Sequence, residues 1–117
     1  MDEIDAVAVL SALAQATRLS SFRRLAEHEP DGIAAGALAR VLGVPQNTLS
    51  NHLNVLSRAG LISGMRNSRS IIYRANVDRL NETTRFLLDR CCGGRPELCL
   101  PVHEGELLCC AEGDTSQ

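Results

Sequence analysis

Apolar residues recur at helical spacing through most of the chain, and the interruptions divide it into short segments. Ile4, Val7, Leu10 and Leu13 follow one another every three residues, which predicts a first helix over residues 3–14. A second is expected over about 17–28, with Leu19, Phe22 and Leu25 inward. Pro30-Asp31-Gly32 breaks the pattern. An Ala-rich stretch then predicts a short helix over about 34–42, ended by Gly43. After Gly43-Val44-Pro45 a longer helix should run to about residue 59. Its apolar stripe is Leu49, Leu53 and Leu56, and its other face is Gln46, Asn47, Thr48, Ser50 and Asn51. Gly60 is a natural left-handed stop for that helix.

The period then changes. Residues 61–66 and 70–75 read as two short strands, with Asn67-Ser68-Arg69 at the tip of a hairpin. Asn76 can cap a final helix, in which Val77, Leu80, Thr84, Leu87 and Cys91 share one face. Gly93, Gly94 and Pro96 end it. Two helices joined by a tight turn at Gly43 and followed by a hairpin make a winged helix-turn-helix, mainly α with a small β-hairpin. Its domain is expected to span 1–92. Residues 93–117, with little periodicity beyond Cys99, are expected to form a flexible cysteine-containing segment.

At 117 residues the chain fits one small domain. Aromatics are 3% and Trp is absent, so the core must be aliphatic. A core this small, with leucine stripes at both ends, would be helped by dimerisation. The start, Met1-Asp2-Glu3-Ile4-Asp5, is acidic, unlike a signal peptide. No apolar run approaches the roughly 20 residues that span a membrane. The expectation is a cytoplasmic protein with reduced thiols and no membrane partner.

The net charge of −2 conceals a division along the chain. Between Gly32 and Val77 stand Arg40, Arg58, Arg66, Arg69 and Arg74, with no Asp or Glu. From Cys91 onward Arg95 faces Glu97, Glu104, Glu106, Glu112 and Asp114. A basic middle in an acidic protein suits a phosphate-contacting surface, because charge must be local to be useful. The same charges also fit a solvated helical face. The helix after Pro45 opens with short amide and hydroxyl side chains and carries no acid to repel a duplex. Its N-terminal dipole adds attraction for phosphate.

All five cysteines, Cys91, Cys92, Cys99, Cys109 and Cys110, fall in the last 27 residues. Such a concentration of soft donors suggests capture of a thiophilic ion or metalloid.

Leu10-Ser11-Ala12-Leu13-Ala14-Gln15-Ala16-Thr17-Arg18-Leu19 resembles the opening of the arsenical-repressor (ArsR/SmtB) family of metal-sensing transcription factors. Asn47-Thr48-Leu49-Ser50-Asn51-His52-Leu53-Asn54-Val55-Leu56 with Ala59-Gly60-Leu61-Ile62 resembles its recognition helix, and Ile71-Ile72-Tyr73-Arg74 its second wing strand. The resemblance covers about residues 4–90. It implies a homodimer paired through the first and last helices, gripping the two halves of a palindromic double-stranded operator, with repression relieved by metal. DNA contacts carry over onto Gln46, Asn47, Thr48, Ser50 and Asn51. Arg66 and Arg69 would reach phosphates or the minor groove from the wing. His52 is the family's common mid-helix His, read here as structural.

Two family metal sites have no counterpart. The Cys-x-Cys of many arsenic sensors falls at about Ala34 and Gly36, and the zinc sensors' last-helix site meets Asp78 but no His between His52 and His103. What remains resembles a subgroup whose inducer site is a vicinal cysteine pair and a third cysteine downstream: Cys91, Cys92 and Cys99. Trivalent arsenic keeps a lone pair and prefers three thiolates in a trigonal pyramid. Gly93-Gly94 lets the chain reverse so that Cys99 can return the third sulfur. Trivalent arsenic or antimony is therefore the expected inducer. Cadmium or lead on the same thiolates, zinc with His103 as a fourth ligand, and a thiol redox switch remain alternatives. Cys109 and Cys110 are a second donor pair or spectators. An enzyme is not expected: a thiol arsenate reductase needs a Cys-x5-Arg oxyanion loop, and Cys91 and Cys92 precede Arg95 too closely.

Overall fold

The computed structural model describes residues 1–91 and 95. Their order is α1 (Glu3–Leu13), α2 (Ala16–Glu27), β1 (Ile33–Ala34), α3 (Ala35–Leu42), α4 (Gln46–Arg58), β2 (Ile62–Asn67), β3 (Ser70–Ala75) and α5 (Val77–Cys91). The helix-turn-helix and wing expected from the sequence are present, with helix limits within two residues of those expected. The expected flexible segment, 93–117, lies outside the described residues apart from Arg95.

Local chemistry sets the limits. The Asp2 carboxylate accepts from the Asp5 amide at 2.8 Å and caps α1. The Gln15 side-chain oxygen accepts from the Arg18 amide at 2.8 Å, so α2 starts at Ala16, ahead of Thr17. Gly43 takes φ 69°, and its amide and that of Val44 close onto Arg40 and Ala39 carbonyls at 3.2 and 3.1 Å. That left-handed cap makes the turn between α3 and α4.

One element escapes the period-based reading. The hairpin gains a third strand, in the order β1-β3-β2, with Ile33 opposite Tyr73 and Ala34 opposite Ile72. Gly32 permits this pairing: its φ is 80°, and a Cβ there would lie 2.5 Å from the Tyr73 carbonyl oxygen. Ala34, expected to begin a helix, is thus a strand residue. In the hairpin Ile62 pairs with Ala75 and Asn67 with Ser70, leaving Ser68 and Arg69 at the tip.

The core joins Val9 and Ala12 of α1, Phe22 and Leu25 of α2, Leu38 of α3, the three leucines of α4, and Leu61, Ile62 and Ala75 of the wing base. Each fully buried Leu contributes about 1.5–3 kcal/mol. The expected inward stripes differ in α2 and α5, and of the two apolar rows of α1 only one is buried. In α1 the buried residues are Ala6, Val9 and Ala12, while Ile4, Val7 and Leu10 stand 79%, 59% and 42% exposed. In α2 the inward stripe is Ser21, Phe22 and Leu25; Leu19 lies roughly a third of a turn away and is exposed. Ser21 is tolerated inside because its hydroxyl donates to the Thr17 carbonyl at 2.7 Å. In α5 the inward residue is Thr83, whose hydroxyl donates to the Arg79 carbonyl at 2.9 Å; Thr84 points outward.

The chain divides at Thr84 into one unit, Met1–Thr84, and a second that begins at Arg85. In the second, the Arg90 guanidinium lies 5.6 Å from the Phe86 ring centroid, one helical turn away. Among the described residues no helix is long and apolar enough to cross a membrane.

Candidate nucleic-acid interface

Helix α4 is fastened to the core by Leu49, Leu53 and Leu56, each completely buried. Burying that face obliges the other to face solvent, and Gln46, Asn47, Thr48, Ser50 and Asn51 are all exposed. No acid lies in the first turn, and no side chain caps the N-terminus at Pro45. The Asn47 side-chain oxygen accepts from the Thr48 amide at 2.9 Å, and its carboxamide NH2 group is a further donor. All five residues named from the sequence therefore lie on one accessible face, rich in donors and acceptors and free of charge.

The wing supplies the charge. Arg66 near the end of β2 and Arg69 at the hairpin tip are exposed, and neither joins an ion pair among the described residues. Arg74 behaves differently. Its guanidinium is 2.7 Å from the Glu29 carboxylate, which also accepts from the Ala75 amide at 3.0 Å. The hydrogen bond from Arg74 holds the Glu29 carboxyl below its ordinary value, against the opposing effect of desolvation, and Glu29 raises Arg74 in return. Arg74 counts toward the basic segment of the sequence, but its charge serves to latch β3 to the loop after α2.

Two arginines outside the expected site hold α4, one at its C-terminal end and one at its middle. The Arg79 Nε donates to the Ala59 carbonyl at the end of α4 at 3.2 Å, and its guanidinium lies 3.9 Å from Asp5 and 3.3 Å from Glu82. Asn76 adds a bond from its side-chain amide to the Gly60 carbonyl at 3.0 Å, while its oxygen accepts from the Arg79 amide at 3.3 Å, as expected of a cap. Arg18 reaches His52 in the middle of α4, its NH1 being 3.3 Å from Nδ1. Neither arginine falls on an apolar stripe, so periodicity does not find them. Arg18 lies in the opening motif, which is the signal that marks it.

Of the expected thiol site, Cys91 is the last residue of α5, a free thiol that is exposed, where the stripe reading placed it inward. Cys92 and Cys99 lie outside the described residues. Among the described residues no group of three or more His, Cys, Asp or Glu side chains is placed to hold a metal ion. A solvent-facing thiol at a helix end fits a soft thiophilic ligand.

The profile of the helix-turn-helix domain family matches residues 13–64. The solved ArsR-like transcriptional regulator from Rhodococcus sp. RHA1 superimposes with a TM-score of 0.64 at 33% identity, over 75% of this chain and 79% of that one. The chain belongs to the ArsR/SmtB family. Among ArsR/SmtB relatives, nodulation protein NolR of Rhizobium meliloti is 37% identical over 84 residues, 72% of this chain and 66% of NolR. The HTH-type transcriptional repressor SmtB of Mycobacterium tuberculosis is 35% identical over 66 residues, 56% of this chain and 47% of SmtB. The matched stretch thus spans between about half and two thirds of these two relatives.

Proposed function

We propose that this ArsR/SmtB chain is a homodimeric transcriptional repressor, acting in the cytoplasm, that binds a palindromic operator and is released when trivalent arsenic or antimony binds Cys91, Cys92 and Cys99. The observation that carries the DNA reading is the accessible face of α4, five short polar side chains without an acid, beside the exposed Arg66 and Arg69. Gln46, Asn47, Thr48, Ser50 and Asn51 read base edges or phosphates, and the two wing arginines neutralise phosphate. Dimerisation through α1 and α5 is supported by the outward apolar row Ile4, Val7 and Leu10, which one chain leaves wet.

Support for a thiol inducer site comes from the exposed Cys91 thiol at the end of α5 and from the cysteine-rich sequence beyond it. Three thiolates closing on arsenic there would reset the packing of the last helices and change the separation of the two reading helices. Half-sites one turn apart, about 34–36 Å, tolerate little change. A coupling of about 1–3 kcal/mol lowers operator affinity by roughly 5- to 150-fold. The likeness to NolR and SmtB fits a cadmium-, lead- or zinc-responsive repressor, or a thiol redox sensor, equally well.

The test begins with a duplex selected by the full chain from a random-sequence pool. Gel shifts on that duplex are then run with arsenite, cadmium, zinc or peroxide. Release by arsenite in the parent chain and retention in Cys91→Ser is the expected result. Release by arsenite in both would remove Cys91 from the site, and release by another agent alone would select the alternative.

A further inference from the structure

We propose that Arg18 is a positioning residue for the reading helix: it ties the end of α1 to the middle of α4 through His52 and fixes which nitrogen of His52 carries the proton. The inference rests on the DNA reading above and adds to it a link from the outward-facing helix to the recognising one.

The geometry is specific to this one side chain. Helix α1 has no basic residue in its last turn, so its terminal carbonyls lack the cation that a helix C-terminus favours. Arg18, on the next helix, supplies it from outside. Its Nε donates to the Ala12 carbonyl at 2.6 Å and its NH2 to the Ser11 carbonyl at 3.4 Å. The remaining arm, NH1, lies 3.3 Å from His52 Nδ1. The Arg18 amide is itself held by Gln15, so the base of the side chain is anchored as well. Three helices, α1, α2 and α4, therefore converge on one guanidinium.

A guanidinium can only donate, so His52 Nδ1 must accept and the imidazole proton must sit on Nε2. His52 is one turn beyond Thr48 and next to Asn51, two of the proposed reading residues, so restraint at His52 is restraint on the face that meets DNA. Lys could not replace Arg here, because a point charge cannot bridge three acceptors on two helices. Arg18 is half-buried, and three of its five N–H donors are directed to protein acceptors. Its proposed part is to support the reading helix, and the salt dependence below distinguishes this from a phosphate contact.

The experiment uses the full chain and the selected duplex, with four single variants: Arg18→Gln, Arg18→Lys, His52→Leu and His52→Gln. Arg18→Gln, Arg18→Lys and His52→Leu should each lower operator affinity about tenfold, the range for losing a hydrogen bond to a charged group. The dependence of affinity on salt should keep its slope, because no phosphate contact is removed. His52→Gln retains an acceptor for Arg18 and should stay within about threefold of the parent. The nitrogen chemical shifts of His52 should report the Nε2–H form in the parent and a mixture of tautomers in Arg18→Gln. Equal losses for His52→Leu and His52→Gln would overturn the proposal, as would a salt slope reduced by about one in Arg18→Gln. Should Arg18→Gln not fold, the two His52 variants still decide. If the parent chain selected no duplex, the DNA reading and this role in recognition would both fall. The His52 nitrogen shifts would still report whether the clasp forms, so the two failures can be told apart.

Discussion

Helices α1 and α4 send their large apolar side chains in opposite directions. In α4 the leucines at 49, 53 and 56 are inside and the polar residues outside, so the helix is complete within one chain. In α1 the small residues Ala6, Val9 and Ala12 are inside, while Ile4, Val7 and Leu10 face water. Small residues let α1 lie close against its neighbours, and the larger ones are kept for something else. One surface is suited to a polar, charged partner and the other to an apolar one. In the proposed reading a second copy of the chain would cover the apolar one and a duplex the polar one.

Substitutions separate these roles. The largest effect is expected on the inner face of α4. Leu53→Ala should cost about 2–5 kcal/mol, read by urea unfolding, because the leucine is fully buried. A cost below about 1 kcal/mol would mean that α4 is not fastened as described. On the outer face of α1, Val7→Glu should leave the helical signal intact while sedimentation finds a monomer at concentrations where the parent is a dimer. A dimer of unchanged strength would remove α1 from the interface.

How far the sequence anticipates this contrast depends on the kind of information each helix holds. Leu49, Leu53 and Leu56 alternate with amides and hydroxyls, so one face of α4 is apolar and the other polar, and there is only one way to bury it. In α1 the series at 4, 7 and 10 and the series at 6, 9 and 12 are both apolar. Periodicity finds a stripe in such a helix but cannot say which side meets its own core. Thr83 and Thr84 pose the same ambiguity in α5, settled by a hydroxyl bond to Arg79. Strand β1 was illegible for another reason, since two residues carry no period. The polar face of α4 and the wing arginines were legible because they required only exposure. The role of Arg74 was not, because its partner Glu29 is 45 positions away in sequence.

Smaller effects sharpen the contrast on the DNA side. Asn51→Ala should weaken binding to the selected duplex by about 1–3 kcal/mol with unfolding unchanged, measured by fluorescence anisotropy. An unchanged affinity would move the reading surface elsewhere. The smallest effect belongs to the latch. Because Arg74 holds the Glu29 carboxyl below its ordinary value, the pair stabilises the fold above the usual carboxylate range, near pH 4.3. That contribution is lost as pH falls through the depressed value. Glu29→Gln should therefore lower Tm at neutral pH, and the gap to the parent should close as acid protonates Glu29. A gap that widened in acid would contradict the latch. Glu29 and Arg74 are both partly exposed, so the gap should be modest.

The division between the two helices is tested most directly by mapping amide and side-chain chemical shifts of the isotope-labelled chain during titration with the selected duplex. The account predicts perturbations gathered on Gln46, Asn47, Thr48, Ser50, Asn51, Arg66 and Arg69, with Ile4, Val7 and Leu10 unchanged. Perturbations gathered on α1, with α4 and the hairpin silent, would contradict it.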